Sequence, residues 1–296
     1  MFPDPLRAFQ KVVRLGSIRK ASDDLALAPS SVSRQIAILE RQMGTQLINR
    51  SISGISLTHA GELVADYADS VVGGFDSLRL DLDDLRGVAR LITVSMVESI
   101  SSSGPGRAAE RFCAAFPNVS FNYDIVPAPA VFEAVRTQQS DIGIAFGSQG
   151  DAQVSIEARV PEPIVLLAAA GHPLADRDFV RVEELKATPL ALPAKSFKVR
   201  QLLDHVCQDE GIVIVPVMQT NSFEILRDFV RCEMGAAVLP SRAAAQEVAT
   251  GRSRIIPIRH SVLEESTLDL IVRRQRRVPR LIRLFVKELA RSIAGE

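Results

Sequence analysis

The sequence predicts an N-terminal all-α winged helix-turn-helix unit, then a long linker helix, then an α/β domain of two subdomains. Three observations predict this organisation. Apolar residues recur every three or four positions through residues 5–43, and a similar spacing continues without a break through 60–86. From residue 91 onward, β-rich runs alternate with helical runs. A chain of 296 residues has room for about two domains.

Residues 5–43 predict three short helices separated by tight breaks. Ser17 is placed to cap the second helix, because its hydroxyl oxygen can accept free amide hydrogens of the first turn. The third helix follows the Ala28-Pro29 break, starts at Ser30 or the next serine, and ends near Met43. Two helices of this kind, the second with a polar start, can place a recognition helix in the major groove of DNA. A generic helical bundle has the same periodicity and stays open as an alternative.

The distribution of charge favours a nucleic-acid partner for this unit, although the formal net charge of the chain is zero. Residues 1–60 carry eight Lys and Arg against four acidic residues, an excess of 8 − 4 = 4 positive charges. Residues 61–90 reverse the sign, with three arginines against seven acids. A local positive excess suits a surface that faces phosphate. Residues 46–50 and 53–58, on either side of a turn, predict a two-stranded wing.

Residues 60–86 predict one long helix with an apolar seam. The seam positions alternate spacings of three and four residues: Val64, Tyr67, Val71, Phe75, Leu78, Leu82 and Leu85. This spacing is typical of a coiled coil, and the outer positions are acidic. A helix packed on its own domain is the alternative. The length of the seam and the reversal of charge favour a dimerising linker helix.

The remaining residues predict parallel sheets covered by helices. The predicted strands are 91–97, 119–126, 141–146, 164–170, 190–192, 212–218 and 236–239. The predicted helices are 100–116, 131–139, 198–210 and 222–232. Two such subdomains joined by two crossings leave a cleft between them. Ligands of α/β sheets bind at the carboxyl ends of the strands, so the cleft is the expected binding site.

Several classes of function are disfavoured by the sequence. Three scattered cysteines and four dispersed histidines match neither a metal-ligand spacing nor a disulfide framework. There is no Gly-x-Ser-x-Gly elbow and no phosphate-binding glycine loop, so we expect no enzyme, no catalytic residues, no cofactor and no metal. We find no signal peptide and no apolar run that could cross a bilayer. The expected location is cytoplasmic, without a membrane partner.

A set of residues at fixed spacing between positions 16 and 61 resembles the DNA-binding signature of the LysR-type transcription regulators. It comprises Gly16-Ser17-Ile18-Arg19-Lys20-Ala21-Ser22-Asp23-Asp24-Leu25, Ser30-Ser31-Val32-Ser33-Arg34-Gln35-Ile36, Leu39-Glu40, Gly44, Leu47, Arg50 and Leu57-Thr58-His59-Ala60-Gly61. Four further segments resemble landmarks of the family's effector domain: Phe116-Pro117-Asn118-Val119, Asp141-Ile142-Gly143-Ile144, Gly171-His172-Pro173-Leu174 and Gly235-Ala236-Ala237-Val238-Leu239-Pro240. The resemblance covers essentially the whole chain.

The resemblance implies a division into three segments. These are a winged helix-turn-helix at 1–59, a linker and dimerisation helix at 60–89, and a periplasmic-binding-protein-like (type 2) effector domain at 90–296. Subdomain I would comprise 90–162 and 267–296, and subdomain II 163–266. The implied partners are double-stranded promoter DNA, a small-molecule effector, a homodimer that assembles into a homotetramer, and RNA polymerase. The implied location is the bacterial nucleoid.

The positions that match the family's DNA contacts are Ser30, Ser31, Ser33 and Arg34 on the recognition helix and Arg50 near the wing. The family often opens this helix with Ser-Gln-Pro-Ala, where this chain has Ala28-Pro29-Ser30-Ser31. The glutamine that can read a base is therefore missing. We expect the cap to move inward to Ser30.

The resemblance also implies which residues line the effector site: Ser99, Ile100, Ser101, Ala128, Phe146, Phe197, Thr220 and Asn221. Amide hydrogens and serine hydroxyls at 99–103 would favour an anion, although a plain helix cap is the alternative. Ala128 stands where the family frequently has Thr or Ser, which suggests a smaller or less polar effector of the organic-acid type. Glu98 opposes a purely anionic preference, whereas Lys195 and Lys198 favour it.

Two further alternatives are weighed against the resemblance. The peroxide sensors of the family pair two cysteines, and Cys207 lies near the position of the second. The position nine residues earlier is Lys198, so we predict that Cys207 is a buried structural thiol. A periplasmic solute-binding protein would share the sensing fold but would need a signal sequence and would lack residues 1–60. The arginine-rich stretch 273–283 is predicted to be part of a solvated helix on subdomain I.

Overall fold

The structure is a computed structural model, and it describes residues 4–51, 54–101, 104–147, 151–249, 251–274 and 277–295. The chain divides into two compact units. The first contains residues 1–88 and 274–281, and the second contains 89–273 and 282–296. No helix in the described ranges is both long enough and apolar enough to cross a bilayer.

The first unit is helical with a two-stranded wing. Its elements are α1 (Asp4–Leu15), α2 (Ile18–Asp24), α3 (Pro29–Met43), β1 (Ile48–Ser51), β2 (Gly54–Leu57) and α4 (His59–Leu85). The two strands are antiparallel, and Ile48 lies opposite Leu57. The core of the unit is formed by the apolar stripes of all four helices, with Phe9, Val32 and Ile36 fully buried. The helical periodicity of the sequence therefore predicts this unit well.

The predicted N-cap of α2 is confirmed by the structure, whereas the predicted N-cap of α3 is wrong. The Ser17 hydroxyl caps α2 by accepting the backbone N–H of Lys20 at 3.4 Å. The expectation that Ser30 caps α3 is wrong, because the helix begins at Pro29 and Ala28 is its N-cap, without a side-chain cap. Proline fits the first helical position, since its φ is fixed near the helical value and it has no N–H to satisfy. Ser30 therefore lies inside the first turn.

The long helix α4 has two different faces. Ala68 and Val72 are buried in the core of the first unit. Several apolar side chains are instead exposed: Leu63, Tyr67, Phe75, Leu78, Leu82 and Leu85. Most of these are seam positions, so packing within the unit leaves much of the seam exposed. Near its C-terminal end, the hydroxyl of Ser77 donates to the backbone carbonyl of Arg277 at 2.7 Å. The carboxylate of Asp81 accepts from the guanidinium of Arg277 and from the backbone N–H of Arg280, each at 2.7 Å.

The second unit contains two five-stranded sheets. Its strands are β3 (Arg90–Met96), β4 (Val119–Ile125), β5 (Ile142–Phe146), β6 (Val154–Pro161), β7 (Ile164–Ala169), β8 (Leu190–Pro193), β9 (Met218–Thr220), β10 (Ala236–Pro240), β11 (Ser253–Pro257) and β12 (Thr267–Arg273). Its helices are α5 (Pro105–Ala115), α6 (Ala128–Arg136), α7 (Lys198–Asp209), α8 (Phe223–Arg231), α9 (Ser241–Val248), α10 (Ser261–Glu264) and α11 (Arg280–Ala294). The strand orders are β4-β3-β5-β12-β6 and β11-β7-β10-β8-β9.

The sheets are mixed, which corrects the prediction of parallel sheets. In the first sheet β3 is parallel to β4 and β5, but β12 is antiparallel to β5 and β6. In the second sheet β10 is parallel to β8 but antiparallel to β7. The chain leaves the first sheet after β6 and re-enters it as β12, which is antiparallel to both of its neighbours. The unpredicted strands are β6, β11 and β12.

Two predicted elements begin later in the structure than in the sequence analysis. The helix predicted from Ile100 begins at Pro105, because Gly104 has a φ of +103° that interrupts it. A short 3-10 turn occupies Glu98–Ile100. The strand predicted over 212–218 pairs only as β9, from Met218. Pro216 cannot donate a ladder hydrogen bond, which disfavours pairing of the preceding residues.

Candidate functional site

The exposed face of α3 is the candidate DNA-reading surface. Val32, Ile36 and Leu39 are buried, whereas Ser30 and Arg34 are exposed and Ser31 and Ser33 are half-buried. Residues 30, 34, 37 and 41 follow one another at helical spacing and are all exposed, so they form a single outward stripe. Arg34 forms no ion pair or hydrogen bond with any described residue. Of the fifth predicted contact, Arg50, only the backbone is described, as part of β1; its side chain lies outside the described residues.

The other charges of the first unit are partly neutralised by internal pairs. Lys11 pairs with Asp24 at 2.7 Å, and Arg14 pairs with Asp69 at 3.0 Å. Glu40, the acidic residue of α3, accepts backbone hydrogen bonds from the chain that follows the helix. Arg19, Lys20, Arg34 and Arg41 are exposed. The net positive surface of the unit is thus concentrated on α2, α3 and their surroundings.

The second unit contains a cavity of about 270 Å³ between its two sheets. Residues just after β3, at the end of β4 and at the end of β5 form one wall. Residues between β8 and α7 and between β9 and α8 form the other. The lining residues are Val97, Glu98, Ser99, Ile125, Val126, Pro127, Ala128, Phe146, Ser196, Phe197, Lys198, Val199, Asn221 and Phe223. The cavity therefore lies at the carboxyl ends of strands in both sheets, as the βα alternation predicts.

The wall of the cavity is mostly apolar. Phe197 and Phe223 meet edge to face, with ring centroids 5.3 Å apart and an interplanar angle of 89°. Phe223 and Phe146 are buried, and Val199 is also part of the lining. A wall of this composition suits a ligand with an apolar body, which the few polar groups then orient.

Glu98 is the acidic group of the cavity. Its carboxylate accepts the backbone N–H of Phe223, the first residue of α8, at 3.2 Å. Burial raises the pKa of Glu98, and the hydrogen bond from Phe223 and the charge of Arg227 oppose that increase. The bond joins the first sheet to a helix of the second sheet across the cavity.

Two potential donors lie in the same cavity. Ser99 is 2% exposed, and its Oγ has no hydrogen-bond partner among the described residues. A buried hydroxyl without a partner is energetically costly and calls for an explanation, such as a ligand. Lys198 is half-buried at the first position of α7 and forms no ion pair with the part of the chain that the structure describes. These donors can bind an anionic or polar group.

Five of the eight predicted effector-site residues line the cavity: Ser99, Ala128, Phe146, Phe197 and Asn221. Three do not. Ile100 is fully buried in the core, because the 3-10 turn directs it inward, and Ser101 is exposed. The polar groups of Thr220 form hydrogen bonds with nearby backbone: its hydroxyl accepts the N–H of Ser222, and its carbonyl accepts the N–H of Ala194. Ser102 and Ser103 lie outside the described residues.

The lining also contains nine residues beyond the eight predicted ones, and of these Glu98 and Lys198 were already expected near the cleft. Those beyond the assigned set are Val97, Glu98, Ile125, Val126, Pro127, Ser196, Lys198, Val199 and Phe223. Most of them flank the predicted ends of strands, and that position is the signal that could have found them. The contact between Glu98 and Phe223 spans 125 residues and has no local signal.

The cysteines do not form a redox pair among the described residues. Cys207 is buried and burial raises the pKa of its thiol to about 11, whereas Cys232 is exposed. A thiol with this pKa is almost entirely protonated at neutral pH and is a poor nucleophile. The described residues also contain no cluster of histidine, cysteine and acidic side chains that could hold a metal ion.

Comparisons with known proteins match both units. Residues 3–62 match the family model of the bacterial regulatory helix-turn-helix protein, lysR family, and residues 85–294 match the LysR substrate binding domain. The chain is 23% identical over 249 residues to the HTH-type transcriptional regulator GltR of Bacillus subtilis, covering 84% of this chain and 83% of GltR. It is 24% identical to the RuBisCO operon transcriptional regulator of Acidithiobacillus ferrooxidans, covering 98% of this chain and 94% of that protein.

Solved structures share the fold over nearly the whole chain. A full-length OxyR variant from Pseudomonas aeruginosa has a TM-score of 0.65 and 20% identity, covering 99% of this chain and 94% of that one. HinK from the same organism has a TM-score of 0.60 and 19% identity, covering 99% and 98%. These similarities extend across the helical unit and the α/β unit together.

Proposed function

The chain belongs to the LysR family of bacterial transcription regulators, and from this premise we propose that α3 reads promoter DNA while the cavity binds the effector that modulates this binding. It is a DNA-binding transcription regulator with an effector domain. The observation that carries the first half of the proposal is the outward stripe of α3. The observation that carries the second half is the buried, unpartnered hydroxyl of Ser99 in an otherwise apolar cavity.

The proposed DNA contacts are Ser30, Ser31, Ser33 and Arg34 on α3 and Arg50 in the wing. Small serines at the start of the helix allow close approach to the groove. The guanidinium of Arg34 can bond a guanine edge or a phosphate, and its exposure and freedom from described partners support this role. Because Ala28 and Pro29 occupy the positions before Ser30, the preference of this chain for bases differs from that of relatives with a glutamine there.

The DNA half is tested by gel-shift titration with the chain's own upstream DNA over a range of salt concentrations. Arg34→Ala is expected to weaken binding by about tenfold or more, the range for one good base contact, and a phosphate contact would lower the salt slope by about one. Arg107→Ala, which removes an exposed arginine from α5, is the matched control and should leave binding unchanged. Intact, sequence-specific binding by the Arg34 variant would contradict the assignment.

The proposed effector is small and largely apolar, with an organic-acid-like group. The cavity is small for a ligand pocket, and Ser99 and Lys198 supply donors for a carboxylate. Ala128, where a hydroxyl is frequent in the family, reduces the polarity of the wall. Phe146, Phe197 and Asn221 would complete the contacts.

The effector half is tested by a thermal-shift screen of small aromatic and aliphatic acids on the full chain. An active compound is expected to raise the melting temperature of the wild type and to change its DNA affinity. Ala128→Phe should fill the cavity and abolish the thermal shift while basal DNA binding is retained. Ala130→Phe, on an exposed position of the same helix, is the control. An undiminished shift in the Ala128 variant would place the effector elsewhere.

The family acts as oligomers on promoter DNA. We propose a homodimer through the exposed seam of α4, assembled into a homotetramer, with RNA polymerase as a further partner. We also propose that the protein binds DNA in the cytoplasm, at the nucleoid, and that it has no catalytic activity. The relatives are transcription regulators, which supports the last point.

A further inference from the structure

The carboxylate of Glu98 has no cationic partner of its own. Its one hydrogen bond among the described residues comes from the backbone N–H of Phe223, which leaves most of its acceptor positions unused. Arg227 acts on it only at a distance, because its guanidinium is bound to Glu224 and to the carbonyl of Ala243. A partly buried carboxylate without an ion pair, in the wall of a cavity, is a place where a ligand cation is stabilised.

The same cavity also carries a place for an anion. The Ser99 Oγ is buried and unpartnered, so it is a donor that no described residue uses. Lys198 is the first residue of α7, a helix of 12 residues, where a positive charge is disfavoured by the helix dipole. An anionic group bound beside Lys198 would offset that cost and would also meet the free amides of the first turn.

A ligand with a single charge would satisfy only one of these groups. A simple carboxylate would leave Glu98 uncompensated, and a simple amine would leave Ser99 and Lys198 without a partner. The rest of the wall, including Phe146 and Phe197, is apolar. The complementary molecule therefore has one positive group, one negative group and a compact apolar body.

We propose that the effector is a small zwitterion, an α-amino acid or close analogue with an apolar side chain, and that Glu98 selects it by pairing with its ammonium group. Ser99 and Lys198 bind its carboxylate. This inference rests on the proposed function, because it takes the cavity as the effector site. It makes Glu98 the residue that separates amino acids from the acids that lack an amine.

The test uses two matched sets of probes on the full chain, measured by calorimetry and thermal shift. One set is L-leucine, 4-methylpentanoate and 3-methylbutylamine. The other is L-phenylalanine, 3-phenylpropanoate and 2-phenylethylamine. Within each set the apolar body is constant and only the charged groups change. We expect a zwitterion to bind the wild type at least about tenfold more tightly than its acid or its amine, as one added charge-assisted hydrogen bond provides.

Glu98→Gln tests the role of the carboxylate with little change of shape, since the amide oxygen can still accept the N–H of Phe223. This variant is expected to lose about tenfold in affinity for the zwitterion and to bind the simple acid as well as the wild type does, or better. Ser99→Ala and Lys198→Met should weaken the zwitterion and the acid alike while leaving the amine unaffected. The opposite effects of these variants separate charge recognition from general damage to the cavity.

The inference is overturned if the simple acids bind the wild type as tightly as the zwitterions, if Glu98→Gln leaves their ratio unchanged, or if no zwitterion binds. Failure of the proposed function has a different signature. In that case an active probe would bind the Ala128→Phe variant as well as it binds the wild type. If simple acids bind the wild type as tightly as the zwitterions do but do not bind the Ala128→Phe variant, the cavity is still the effector site. Only the selection by Glu98 is then overturned.

Discussion

The carboxylate of Glu40 accepts the backbone N–H of Leu47 at 2.9 Å. The same oxygen lies 3.3 Å from the backbone nitrogen of Ile48, which also donates to it. Glu40 thus links α3 to the start of the first strand of the wing. Glu40 is half-buried and lies off the exposed stripe of residues 30, 34, 37 and 41, so its role in this unit is structural.

Glu40→Ala is expected to destabilise the first unit by about 1–3 kcal/mol, because it leaves two backbone donors without their acceptor. DNA affinity should fall as well, since the wing loses its link to α3. Urea unfolding followed by circular dichroism measures the first effect, and gel shift measures the second. Asp23→Ala, an exposed acid of α2 in the same unit, removes the same charge and should cost far less. Equal losses in the two variants would argue against a structural role for Glu40.

Two glycines of α4 are expected to respond to alanine in opposite directions. A Cβ at Gly61 would clash with the backbone carbonyl of Leu47, whereas a Cβ at Gly74 would meet no atom within 4 Å. Gly61→Ala should therefore lower the melting temperature, because the backbone that carries the wing must move. Gly74→Ala should stabilise the helix by about 1 kcal/mol through its higher helix propensity. Differential scanning fluorimetry of both variants checks the prediction, and two shifts of the same sign would refute it.

The stability of the second unit is expected to depend on the ionisation of Glu98. Burial raises the pKa of Glu98 above its ordinary value of 4.5, so folding favours the protonated carboxyl. This contribution is present below about pH 4.5 and is lost as the pH rises through the raised pKa. Glu98→Gln imitates the protonated form, so it should be more stable than the wild type at neutral pH, and the difference should shrink on acidification. Melting temperatures of both proteins from about pH 4.5 to 7.5 test this, and a constant difference would contradict it.

The exposed seam of α4 is expected to hold the dimer together. The double variant Leu78→Glu, Leu82→Glu should place two negative charges in an apolar interface and shift the protein toward monomers. Light scattering after gel filtration measures the change in mass. Arg79→Glu alters the same helix off the seam and should leave the mass unchanged. A doubly substituted protein of unchanged mass would show that the seam is not the interface.

The cysteines are expected to differ sharply in reactivity. Cys232 is exposed, whereas Cys207 is buried and its pKa is raised to about 11. Iodoacetamide at neutral pH should label Cys232 readily and Cys207 only after unfolding in urea, as mass spectrometry of peptides would show. Rapid labelling of Cys207 in the native protein would revive the redox alternative.

The sequence predicts local features of this protein better than long-range ones. The stripe of Val32, Ile36 and Leu39 marks α3 because helical spacing leaves one buried face. The uniformly apolar runs of β5 and β7 predict strands covered on both sides, and both are buried along their whole length. The strand β6 alternates apolar and polar residues from Val154 to Val160, so its strand signal is present in the sequence and was missed. The strand β11 is short and does not alternate, so periodicity does not reveal it.

In the candidate site, too, local features can be predicted from the sequence and long-range contacts cannot. That the cavity lies at the ends of strands is a consequence of βα topology, whereas the prediction of Ser99, Ala128 and Phe146 as lining residues came from the family resemblance. Ile100 is one residue from the lining, but the 3-10 turn rotates its side chain into the core. The pairing of Glu98 with Phe223 depends on how the two sheets fold together, and no local pattern encodes that.

The hydrogen bonds between the pair Ser77 and Asp81 and the segment 277–280 determine how this protein can be divided into fragments. They mean that the compact helical unit is not a continuous stretch of chain, because it includes the short segment 274–281 at the start of α11. A protease that cleaves between α4 and β3 would divide the chain into two fragments, and each of them would contain residues of this unit. A fragment ending at residue 88 would expose Ser77 and Asp81 without their partners. Exchange of the helical unit between such proteins would therefore require three junctions, one after residue 88 and one on each side of residues 274–281.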